Sequence, residues 1–146
     1  MLDRIKYVEF LELMPVCCVD VIIHVGKSFL LIKRIQEPMK GGWWFPGGRI
    51  FKNELLTNAV IRKAKDEVGL DVIVEKQVNV YDTIFDTSHF GVPVHTVNVV
   101  FLSTPVYGNF YGVSLDLSSS EYIIIDNLEG CNSYVRRAIL NSGVLD

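Results

Sequence analysis

Apolar positions along this chain fall into segments with different periods, and each period predicts an element. Ile5, Val8, Leu11 and Leu13 recur at near-helical spacing, which predicts a short helix over residues 4–13 stopped by Pro15. The run VCCVDVIIHV, Val16 to Val25, is almost continuously apolar and predicts a strand buried on both faces. Gly26-Lys27 makes a turn, and Phe29 to Ile35 returns as a second strand, so the two form a hairpin. A Gly/Pro-rich segment, Pro38 to Gly48, leads into a helix numbered from Glu54. Three strand-like runs follow: Asp71 to Val80, Tyr81 to Asp86 with its continuation, and His95 to Val106. Tyr122 to Asp126 is a last strand, and Ser133 to Leu140 a closing helix capped by Asn132 or Ser133. Strands mixed with an inserted helix predict an α+β fold, a mixed sheet sandwiched between helices.

The inserted helix holds the sharpest chemical signal. At about 100° per residue, Leu56, Val60, Ile61, Ala64 and Val68 share one arc, the core-facing stripe. Glu67 falls inside that arc. A carboxylate aimed at the apolar side is costly unless a cation or hydrogen-bond donors receive it. A hard ion such as Mg²⁺, which takes one or two carboxylates plus phosphate oxygens, is the expected receiver.

Composition narrows the function classes. With 146 residues and 49% hydrophobic content, the chain can bury a real core and reads as one domain over 1–146. A net charge of −3 and a pI near 5.6 supply no general field for nucleic acid, so no nucleic-acid partner is expected. No apolar run approaches a membrane span, and acidic residues interrupt the N-terminal segment where a signal peptide would be apolar. A cytoplasmic protein with no membrane partner is the expectation. Cys17-Cys18 lie in the apolar run and Cys131 stands alone, with no zinc spacing, so core packing is expected for the pair. Trp43, Trp44 and Phe45 are likewise expected to pack the sheet rather than to stack on a ligand. The chain has no internal repeat and no low-complexity tract.

The stretch from Gly47 to Leu70, GGRIFKNELLTNAVIRKAKDEVGL, resembles the Nudix box. The matching positions are Gly48, Glu54, Arg62, Ala64, Glu67, Gly69 and Leu70. Lys63 stands where the family has the first glutamate of its closing run, and Asp66 replaces the second. The runs MPVCCVDVIIHV and LLIKRIQEPMKGGWWFPGGRI are similar to GDP-mannose mannosyl hydrolases. That atypical branch cuts the glycosidic bond at the anomeric carbon, and it also lacks the first glutamate while keeping the last. The similarity is good over residues 9–70 and patchy to about residue 140.

That resemblance implies a Nudix fold and a Mg²⁺ cofactor held by the Gly47 carbonyl and the Glu67 carboxylate, with Asp66 beside them. It further implies that Arg34 and Arg49 neutralise the leaving diphosphate and that Asp20 orients a bound nucleotide sugar. A homodimer is also implied, with the N-terminal helix a candidate contact. One departure stands out: Ser118-Ser119 occupy the place of a Gln-His pair that supplies a metal ligand and the general base. Neither hydroxyl is a base near neutral pH. His89, His95, Glu121 or Asp86 could substitute, and His95, which precedes a strand where the family also tends to carry His, is the first choice.

Three functions follow: hydrolysis of a nucleotide sugar at its glycosidic bond, pyrophosphohydrolysis of a nucleoside diphosphate linked to another group, or nucleotide binding without catalysis. Lys63 opposes the second, because multi-metal diphosphate cleavage leans on the missing glutamate. Lys63 and Ser118-Ser119 favour the third, which the retained Glu54, Arg62, Glu67, Arg34 and Arg49 oppose.

Overall fold

The computed structural model describes residues 3–146. In chain order the elements are α1 (Arg4–Leu13), β1 (Val16–Val25), β2 (Ser28–Arg34), β3 (Trp43–Trp44), β4 (Gly47–Arg49) and α2 (Leu56–Val68). They continue with β5 (Val72–Phe85), β6 (Val94–Pro105), β7 (Ser119–Ile125) and α3 (Ser133–Ser142). The class is α+β, a mixed sheet with helices on both faces.

β1 organises the sheet. Along one edge it runs parallel to β6, from Val16 opposite Thr96 to Ile23 opposite Ser103. Its other edge is shared. Glycine-bearing β4 pairs antiparallel with Cys18 to Asp20, and only His24 and Val25 pair with β2. The expected hairpin is therefore real but short, because β4 inserts beside β1 and sends β2 away to pair with β3 and β7.

Both faces of β1 and β6 are covered, which explains their near-continuous apolar sequence. Val19, Val21, Ile23, Val99 and Phe101 pack against Ala59, Val60, Ala64 and Val68 of α2. Ile22, Val100 and Leu102 face the other way, against Tyr134, Val135, Ala138 and Ile139 of α3. Leu11 of α1 closes a smaller cluster over Val16, Cys18 and Val94.

Several boundaries differ from expectation for identifiable reasons. Glu54 lies outside α2, because its carboxylate turns back to accept the Phe51 N–H. The helix stops at Gly69, whose φ of 72° gives the left-handed cap that glycine tolerates best. Ile61 is exposed, and Ala59 takes its place in the stripe. The two flank Val60 on opposite sides of the helix, and the sheet lies on the side of Ala59. β5 is one long strand rather than two runs, since irregularities between Val74/Lys76 and Gln77/Asn79 break its alternation. β7 begins at Ser119 rather than at Tyr122, and Asn132 is the cap of α3, accepting the Val135 N–H. Cys18 is buried as expected but Cys17 is exposed. Trp44 and Phe45 are buried, with Trp44 stacked 4.4 Å from Tyr134. Among the described residues, no helix is long and apolar enough to cross a membrane.

Candidate functional site

A cavity of about 220 Å³ opens on the face of the sheet that carries α1 and α3. Strand alternation selects its floor. Asp20 on β1, Thr96 and Asn98 on β6 and Thr83 on β5 all point the same way. Tyr7 and Leu11 of α1 form one wall; Arg34, Pro38 and Met39 form another. Gly47, Gly48 and Arg49 of β4 and the Ser88–Phe90 loop complete the rim.

Asp20 is 3% exposed and needs partners. Its Oδ2 accepts from Asn98 Nδ2 at 3.0 Å and from the Tyr134 hydroxyl. Gly47 presses on the same carboxylate so closely that a Cβ there would collide with Oδ1 and with the Val19 carbonyl. Only glycine fits that close approach. Burial pushes the Asp20 carboxyl up to about 6, although the Tyr134 and Asn98 hydrogen bonds and nearby Arg34 oppose the rise.

A carboxyl raised in the folded state contributes stability below its ordinary value of 3.8 and loses it as the pH climbs through about 6. This contribution should fall by roughly 3 kcal/mol across that window. Asp20→Asn should flatten that part of the stability–pH curve relative to wild type, which denaturant melts at several pH values would check.

Arg34 and Arg49, expected to act on the diphosphate, both line this cavity. Arg34 lines the cavity with its Nε donating to the Pro38 carbonyl at 2.7 Å. Arg49 sits at the rim between two rings, its guanidinium 5.2 Å from the centre of Tyr7 and 5.3 Å from that of Phe51. From behind, α2 grips the β4 turn. Arg62 makes a two-pronged pair with Glu54, at 2.7 and 2.9 Å, and donates to the Arg49 carbonyl at 3.1 Å. That pairing holds the Glu54 carboxyl below its ordinary value.

Glu67 is 5% exposed, as its place on the apolar arc predicts, but its receiver is not the expected one. Oε1 accepts the Gly47 N–H at 3.1 Å, and Oε2 pairs with the Lys63 ammonium at 3.0 Å. Gly47 thus offers Glu67 its amide. Asp66 does not join them. One residue along a helix is a turn of about 100°, so Asp66 points outward, 4.0 Å from Arg62 and largely exposed.

The expected Mg²⁺ is therefore not matched by the donors present. The buried Glu67 carboxylate has an N–H on one oxygen and an ammonium on the other. No group of three His, Cys, Asp or Glu side chains among the described residues is arranged to hold a metal.

His95, the first choice for a general base, is not among the residues that line the cavity. His95 lies between Val94 and Thr96, both of which line the cavity, so alternation turns its ring away. That ring reaches Asp82 on β5 at 3.3 Å. The histidine in the cavity wall is His89, in the loop between β5 and β6, edge-on to Phe90. Ser118 bonds Asp116, and Ser119 opens β7 opposite Arg34. Asn98 and Tyr134 were not anticipated. Asn98 had a signal, a lone amide in the apolar run VNVVFL of the strand parallel to β1. Tyr134 had none, since only the docking of α3 brings it to Asp20.

Comparisons with known proteins show the family of this chain. The chain matches the NUDIX domain family model over residues 14–111, and it belongs to the Nudix hydrolase family. An ADP-ribose pyrophosphatase of Methanocaldococcus jannaschii is 34% identical over 126 residues, 86% of this chain and 70% of that protein. The low-salt glycan biosynthesis protein Agl8 of Haloferax volcanii is 42% identical over 74 residues. That match spans 51% of this chain and about half, 47%, of Agl8. Among solved structures, a Nudix hydrolase from Nitrosomonas europaea superposes with a TM-score of 0.72 at 17% identity, over 89% of each chain. The Nudix domain of Shewanella oneidensis NrtR, solved with ADP ribose, has a TM-score of 0.66 at 19% identity and covers 93% of this chain and 96% of its own.

Proposed function

We propose that this chain hydrolyses a nucleoside diphosphate joined to a sugar, at the glycosidic bond, releasing the nucleoside diphosphate and a free hexose. One observation carries the proposal: a single cavity holds Asp20, Arg34, Arg49 and the bare Gly47-Gly48 turn. In the reaction, water adds to the anomeric carbon and the bond to the diphosphate oxygen breaks. That oxygen leaves with the bonding pair, so negative charge grows on the diphosphate. Guanidinium groups already held in place stabilise such charge more in the transition state than in the ground state. The fork of arginine matches phosphate oxygens two at a time. Arg34 is oriented by the Pro38 carbonyl and Arg49 by its two rings. The Asp20 carboxylate suits the hydroxyls of a sugar placed over the floor.

The attacking water gives up a proton, and His89 is the imidazole within the cavity wall. Among substitutions of His24, His89 and His95, His89→Ala should produce the largest loss of kcat at nearly unchanged KM. Steady-state kinetics on the three variants would check this, and an equal loss in His95→Ala would return the base to that residue.

The name of Agl8 supports a sugar-linked substrate. A second reading, cleavage between the two phosphates, has its own support in the ADP-ribose pyrophosphatase relative. Incubation with GDP-mannose, other nucleotide sugars and ADP-ribose, with products resolved by chromatography, separates them. Nucleoside diphosphate plus free hexose supports the first reading, and nucleoside monophosphate plus sugar phosphate the second. Binding without turnover would mark a nucleotide-binding domain. A homodimer through α1 belongs to the same proposal, and exposed Ile5, Leu13 and Met14 give that helix an apolar surface.

A further inference from the structure

Lys63 is the sharpest departure of the box from its family, and the fold turns its side chain inward. From α2 it runs beneath the Gly47-Gly48 turn, only 19% exposed, to place its ammonium 3.0 Å from Oε2 of Glu67. A Cβ on Gly48 would lie 2.9 Å from Lys63 Cε and 3.1 Å from Nζ. The tip of the lysine therefore occupies the space that a glycine leaves, and Gly48 is itself part of the cavity wall. The two glycines serve opposite sides of the turn: Gly47 is bare toward Asp20, and Gly48 is bare toward Lys63. Lys63 does not itself line the cavity, but Gly48, which its tip approaches, does.

A divalent ion in a phosphate-handling site does two jobs. It compensates the buried carboxylates that hold it, and it offers positive charge to phosphate oxygens. Lys63 already does the first. Glu67 would be costly to bury alone, and the lysine four residues earlier on the helix meets it at the spacing that makes such pairs neighbours. For the second job, an ammonium carries three N–H donors. Among the described residues Glu67 is the acceptor paired with it, which leaves donors for an anion at the turn. Lysine binds phosphate as a compact point charge, so it needs no particular plane of approach.

We propose that the Lys63 ammonium is the resident cation of this site. It neutralises Glu67 and supplies positive charge, past Gly48, to a phosphate oxygen of the diphosphate-linked ligand, so neither job requires a divalent ion. The identity of the anion rests on the function proposed above; the replacement of the metal by Lys63 does not.

The test uses the full chain, its Glu67→Gln, Lys63→Glu and Lys63→Met variants, and two probes, Mn²⁺ alone and inorganic pyrophosphate. By calorimetry, wild type should show no Mn²⁺ site that Glu67→Gln removes. It should bind pyrophosphate in excess EDTA and in excess Mg²⁺ with affinities differing by less than about tenfold. Lys63→Glu places two carboxylates one helical turn apart and should gain a saturable Mn²⁺ site. Lys63→Met should bind pyrophosphate more weakly than wild type in EDTA. A wild-type Mn²⁺ site lost in Glu67→Gln, or a Lys63→Glu variant that folds without gaining one, would overturn the proposal. So would pyrophosphate binding that is absent in EDTA, or unchanged in Lys63→Met. If the Lys63 variants do not fold, the measurements on wild type and Glu67→Gln still decide. Failure to hydrolyse any nucleotide sugar would leave these binding results standing, so the two proposals fail separately.

Discussion

Lys63→Met should destabilise the fold by about 3–5 kcal/mol, the range for removing one partner of a buried ion pair. Glu67 is buried and Lys63 half-buried, with side-chain exposures of 7% and 19%, which places the loss at the low end of that range. The loss arises mainly from the stranded carboxylate rather than from the vanished attraction. Glu67 would keep the Gly47 N–H on one oxygen and have nothing on the other. Removing both charges should therefore be milder than removing one, and a Lys63→Met, Glu67→Met double variant should recover much of the loss. Denaturant melts of the wild type, the two single variants and the double variant provide the cycle. Strictly additive changes would mean that the two side chains do not sense each other, against the 3.0 Å contact.

Arg49→Ala should lower kcat/KM by about 10²–10³-fold, about 2.7–4 kcal/mol, the loss for one preorganised donor to a developing oxyanion. Its guanidinium is fixed between Tyr7 and Phe51 rather than by a carboxylate. No anion of the protein competes with a phosphate for it among these contacts, and the arginine arrives already ordered. Arg49→Lys should restore only part of the rate, because an ammonium keeps the charge but loses the fork. Melting temperatures of the variants, measured alongside the kinetics, separate this effect from unfolding. Equal rates for wild type and Arg49→Ala would remove Arg49 from the site.

Much of the site was legible because it hangs on fixed spacings. The helix stripe put Glu67 inward, and the glycine pair marked the turn that it meets. Asp20 in a strand buried on both faces had to find partners, and it found Asn98 and Tyr134. What escaped depends on register and on tertiary docking. His95 is one residue from two cavity-lining positions, and a strand shows its neighbours opposite faces, so an error of one residue in phase inverts the assignment. The irregularities in β5 hid a single strand behind a broken alternation. The Lys63–Glu67 contact is different: its four-residue spacing was in plain view. Treating Lys63 only as a lost glutamate obscured the cation that it brings to Glu67.

The most direct test of the proposed reaction is to follow the oxygen of isotopically labelled water during turnover of GDP-mannose, with mass analysis of both products. Attack at the anomeric carbon, as proposed for this cavity, puts the label on the free hexose and leaves GDP unlabelled. Label on a phosphate, with GMP and hexose phosphate as products, would contradict the account and assign the chain to cleavage between the phosphates.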